Sequence, residues 1–153
     1  MCDRKCFTNG VLSGVVAGIV FAFFLILGGM SETLGSIIGM PNKLGGMIVH
    51  FIITIIAGLV FAFVFGWLIH SWFSAIFWGL LFGIGMWVTG PMTLLPTLSA
   101  GDALFVKWNL AGLQSNIQPL VGHLVYGLVL GLVYCFLKKG KLHKLKVPRK
   151  QKN

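Results

Sequence analysis

Acidic residues are almost missing from this chain of 153 residues, which carries three Asp and Glu against 12 Lys and Arg. Two long stretches, 44–101 and 109–137, contain no Asp, Glu, Lys or Arg at all. Such stretches exclude a water-soluble domain, because they would expose far too much apolar surface, whereas a bilayer core of ~30 Å needs about 20 apolar residues per helix. Catalytic groupings are also missing: there are no paired carboxylates, no nucleophile with a base at helical spacing and no phosphate-cradling loop, so no enzyme is expected. Ser71, Ser74 and Thr89 are isolated hydroxyls of the kind that bond their own backbone. Cysteine is scarce too, at three residues. Cys2 and Cys6 precede the first apolar run and Cys135 ends the last, all on the expected cytoplasmic side, so reduced thiols are expected rather than a structural disulfide. A Cys-x3-Cys pair with no further Cys or His nearby is thin support for a metal.

What is present is apolar, at 57% of the chain. Four runs are long enough to cross a membrane as helices, at about residues 11–30, 45–69, 73–95 and 120–137. They are apolar throughout instead of alternating, which excludes barrel strands. The first run is too long for a signal-peptide core, and only Gly28-Gly29-Met30 comes after it, with no small-residue cleavage site. Ten of the 12 basic residues lie at the two ends: Arg4 and Lys5 before the first run, then Lys138, Lys139, Lys141, Lys144, Lys146, Arg149, Lys150 and Lys152 after the last. Basic residues stay on the cytoplasmic side, so both termini are expected there, with a tight turn around His70 and Ser71. The outer connections, 31–44 and 96–119, are each expected to hold a short interfacial helix. In the second, Ser99 and Asp102 resemble a capping box ahead of Leu104, Phe105 and Trp108, with Pro96 as a helix stop and Pro119 as a start.

The second and fourth runs match each other. His50 is followed eight residues later by Gly58-Leu59-Val60-Phe61, and His123 by Gly131-Leu132-Val133-Tyr134. The first and third correspond through Gly14-x3-Gly18 and Gly79-x3-Gly83, and through Gly28-Gly29-Met30-Ser31 and Gly90-Pro91-Met92-Thr93. A duplicated hairpin is expected, with its copies parallel about an axis along the membrane normal. Gly14, Gly18, Gly58, Gly79, Gly83, Gly127 and Gly131 would then allow helices to approach closely, in a bundle or at a dimer face.

Polar side chains inside lipid are costly, so His50 and His123, at matched depths, are the candidate site. Met30 and Met92 end the preceding helices nearby. Two imidazoles suit haem b, and imidazole with thioether suits Cu(I), so these four residues are the candidate metal set. The competing explanation is a histidine bonded to its own backbone with methionine as apolar filler. With no Cys in reach and no second His pair, zinc and multi-haem sites are not expected. Glu32 is expected to cap the short outer helix, or else to pair with a histidine. His70 and His143 fall in the turn and the tail and need no special role. A coupled carrier needs ionisable groups at the midplane, where only Thr54, Gly58 and Gly83 occur, so a small-solute transporter or channel ranks below the cofactor alternative. The tail, 138–153, holds eight basic residues and no acid, which suits anionic lipid headgroups better than nucleic acid.

The stretch Trp78-Gly79-Leu80-Leu81-Phe82-Gly83 through Gly90-Pro91-Met92, followed by Val121-Gly122-His123-Leu124-Val125-Tyr126, resembles small uncharacterised bacterial inner-membrane proteins of the YagU-like type. The likeness covers the second half of the chain. It implies a multi-span inner-membrane protein and transfers no catalytic residue. The expectation is an all-α membrane protein with one four-helix domain at 1–137 and a basic cytoplasmic tail at 138–153. Its expected role is a non-enzymatic structural or accessory subunit in the bacterial inner membrane, as a homodimer or within a larger complex.

Overall fold

The computed structural model describes residues 4–145, with side chains up to residue 140. The chain is helical, and the described residues contain no strand. In order come α1 (Arg4–Leu27), α2 (Ser31–Ser36), α3 (Lys43–Phe65), α4 (Trp72–Thr89), a single π turn (Gly90–Leu94), α5 (Leu95–Ala100), α6 (Leu110–Ser115) and α7 (Ile117–Leu145). Four spans are long and apolar enough to cross a membrane: Arg4–Leu27, Lys43–Phe65, Trp72–Ala100 and Ile117–Gly140. Their outward faces carry exposed Ile19, Phe23, Ile52, Ile56, Phe63, Phe77 and Leu81, which suit lipid and not water.

Local chemistry sets the helix ends. The Asn42 side chain accepts from the Gly45 amide at 2.9 Å and starts α3. Ser71 and Ser74 form a capping box at the start of α4, and this corrects the expected one at Ser99–Asp102. Ser99 already lies inside α5, where its hydroxyl donates to the Leu95 carbonyl at 2.6 Å. Pro96 therefore does not stop the third span. The wider π turn just before it takes up the disturbance of Pro91 and Pro96, which lack an N–H and crowd the preceding turn. The span ends instead at Gly101, whose φ of 73° is left-handed. Residues 101–108 are irregular, so the helix expected through Leu104, Phe105 and Trp108 is not formed. Phe105 has a φ of 65° and packs edge-on against Trp108, whose indole N–H donates to the Thr93 hydroxyl. α6 comes next, capped by Asn109, and Pro119 sits in the first turn of α7 as expected.

Two glycine seams draw the spans together. A Cβ on Gly14 would lie under 3.0 Å from the Thr54 carbonyl oxygen and close to the Gly58 Cα. A Cβ on Gly79 would meet the Gly127 carbonyl and the Gly131 Cα in the same way. Gly58 faces the Gly10 carbonyl as Gly131 faces that of Ala75. α1 thus packs along α3, and α4 along α7, through matching positions, while α1 also packs along α7. α3 and α4 are held apart by rings: Phe61 and Phe65 meet Phe82 edge-on, and Phe65 meets Trp78. Phe61 and Tyr134 touch edge-on at 5.7 Å. In a helical bundle inside lipid, such close packing is the principal attraction between helices.

At the N-terminal end of the bundle, the Lys138 ammonium donates to the Gly66 carbonyl at 2.8 Å and to the Ile69 carbonyl at 2.7 Å, closing the end of α3. Lys139 stands over the Trp72 ring. Lys138→Met is expected to lower stability by about 1–3 kcal/mol, the usual cost of leaving carbonyls without a charged donor. Thermal unfolding in detergent checks this, with Lys138→Arg retaining most of the stability. Cys6 is disulfide-bonded, against the expectation of reduced thiols, and Cys135 is a free buried thiol. Cys2 and most of the basic tail lie outside the described residues.

Candidate ligand cavity

At the opposite end the four spans diverge around a cavity of about 210 Å³. α1, α3, the π turn and α7 all contribute walls, and both His50 and His123 line it. His50 is buried on α3, and its Nε2 donates to the Gly18 carbonyl at 2.9 Å across the seam to α1. His123, half-buried on α7, donates from Nδ1 to the Pro119 carbonyl at 2.7 Å, one turn back on its own helix. The Phe21 ring stacks on His50 at 5.5 Å and meets His123 edge-on at 4.8 Å, so one side chain of α1 touches both imidazoles. Most of the remaining wall is apolar, including Phe24, Ile53 and Met86, with Asn116 and Gln118 adding amides.

The expected set of four ligands is only partly brought together. Met30 lines the cavity with the two histidines, but Met92 does not. It is buried against a separate recess formed with Trp87, Trp108 and Leu113. Met86, absent from the sequence-based set, stands in the cavity instead. The described residues contain no group of three or more His, Cys, Asp and Glu arranged to hold a metal. Haem does not fit this geometry: two axial imidazoles must face one iron across a porphyrin, whereas Phe21 is packed against both rings. Glu32 is exposed in the first turn of α2, where its charge faces the helix N-terminus, but the N-cap is Met30 and no side chain caps the helix; His70 is exposed in the turn. Phe21 and Met86 had one usable signal. Each lies three residues beyond the second glycine of its Gly-x3-Gly pair, Gly18 or Gly83, and so on the face that the seam turns inward.

The seven glycines predicted at helix contacts all sit in the seams or beside them. Gly14, Gly18 and Gly58 serve α1 and α3, and Gly79, Gly83, Gly127 and Gly131 serve α4 and α7. Among the described residues, every side-chain nitrogen or oxygen that is itself fully enclosed has a hydrogen-bond partner. Trp87 donates to the Asn116 carbonyl at 2.8 Å, and the Tyr126 hydroxyl reaches the Thr54 carbonyl at 3.3 Å, tying α7 to α3.

These features define a helical bundle with four candidate membrane spans and a recess between them. Comparison with protein-family models, with curated proteins and with solved structures finds no match to this chain.

Proposed function

We propose that this chain is a non-enzymatic protein of the bacterial inner membrane that holds a small ligand between its four spans, as an accessory component of a homodimer or larger membrane complex. The observation that carries this is the cavity, where His50 and His123, far apart in sequence, meet one recess walled by all four spans. Arg4, Lys5, Lys138 and Lys139 lie at the other end, so the positive-inside rule supports cytoplasmic termini and a cavity near the outer surface. The matching contacts of the two seams, and the meeting of Phe61 with Tyr134, support a duplicated hairpin about a pseudo-twofold axis. α2, α6 and the exposed Leu104, Phe105 and Trp108 suit the outer interface. The basic tail suits anionic headgroups on the inner leaflet. The YagU-like resemblance of the second half agrees with this placement.

Toluene, which is small and apolar, tests the cavity as a binding site. In protein held in mild detergent it is expected to raise the melting temperature, because a ligand that binds only the folded state stabilises it. Met86→Trp, which fills the cavity, should abolish that rise, while Met92→Leu should keep it. A wild-type melting temperature indifferent to toluene and to phenol alike would remove the cavity from consideration as a binding site.

A further inference from the structure

We infer that the occupant this cavity selects is a single aromatic ring bearing two hydroxyl donors, the dihydroxybenzene class, an inference that rests on the cavity being a binding site. A carbonyl oxygen only accepts, so the bonded nitrogens, Nε2 of His50 and Nδ1 of His123, each carry the ring hydrogen. No carboxylate lines the cavity to balance a charged imidazole. Each ring is therefore a neutral tautomer whose other nitrogen, Nδ1 of His50 and Nε2 of His123, is an acceptor. Nε2 of His123 lies 4.0 Å from where a Cβ on Gly90 would stand, and Gly90 is itself part of the cavity wall.

The recess thus offers two acceptors of fixed tautomer in mainly apolar surroundings. A hydroxyl that donates to such an acceptor gains more than the same hydroxyl in water, and a ligand without donors leaves both nitrogens unmatched. Size limits the rest of the molecule. An apolar cavity of ~150 Å³ holds one benzene, so about 210 Å³ admits one ring with a few further atoms. Phe21 and Phe24 supply aromatic walls for that ring.

Binding of resorcinol, phenol and anisole to the full chain in detergent, measured by calorimetry, separates the alternatives through the ligand and not the protein. The expected order is resorcinol, then phenol, then anisole, with each donor worth about threefold to tenfold in affinity. His50→Leu and His123→Leu should each reduce resorcinol to the affinity of phenol, with near-ultraviolet circular dichroism reporting that the fold persists. If neither variant folds, the wild-type order decides alone. Equal affinities for the three rings would overturn the donor selectivity while leaving the cavity a binding site. Failure of all three to bind would overturn both. Stoichiometric Ag(I) uptake that excludes the rings would overturn the ring assignment in favour of a soft-metal site on His50, His123 and the thioethers of Met30 and Met86.

Discussion

Gly127→Val is expected to destroy the bundle, leaving a chain that inserts but elutes from size exclusion as aggregate. A Cβ at this position would stand under 3.0 Å from the Gly79 carbonyl oxygen and from the Gly83 amide nitrogen. Both are backbone atoms of α4, which cannot turn aside as the end of a flexible side chain does. Relief requires the helices to separate, and separation forfeits the seam between α4 and α7 along with the wall that α7 gives the cavity. Overpacking usually costs about 1–3 kcal/mol where side chains yield, and here the cost should exceed that range. The control is Gly85→Ala on α4, the helix against which Gly127 packs, where nothing lies within 4 Å of an added Cβ. That substitution should be neutral or stabilising by up to ~1 kcal/mol, from helix propensity alone. Equal behaviour of the two variants would mean that the seam does not hold the fold together.

Phe61→Ala should lower stability by about 3–5 kcal/mol, the cost of removing a large ring from a site that cannot collapse. Phe61 is completely buried and touches Phe65, Phe82 and Tyr134, so it joins α3, α4 and α7 at once. The backbones of α3 and α4 are spaced by these rings, and lipid cannot enter to refill the gap. The change should appear as a drop of about 10 °C or more in melting temperature, with the four spans still inserted. Phe61→Leu, which keeps most of the volume, should lose much less. If Phe61→Ala melts like the wild type, the rings are passive spacers and the glycine seams carry the stability.

Much of this arrangement is legible in the sequence, because lipid leaves a helix few options. Charge-free runs must be helical spans, since every backbone group has to be satisfied within its own segment. Glycines recurring every four residues must line one face, and all seven singled out lie at seam positions. The matched depth of His50 and His123 could likewise be counted along the chain, and both line one cavity. The third span went differently. Pro96 reads as a stop because a proline in a regular α-helix clashes with the preceding turn, yet the π turn Gly90–Leu94 lets the helix run on to Ala100. The methionines need no such turn: six residues apart, Met86 and Met92 stand about 120° from each other around a regular helix, and Met86 lines the cavity while Met92 lines a separate recess.

The sequence by itself determined the number of candidate spans, the seams and the depth of the histidines, because hydrophobic run length and helical spacing are properties of the chain alone. Only the tertiary structure decided that Phe21 touches both imidazoles, that each imidazole gives one N–H to a carbonyl, and which thioethers share their cavity. Those facts depend on how far each helix is rotated against its neighbours. That rotation is set by where the glycines let backbones touch and where aromatic rings keep them apart.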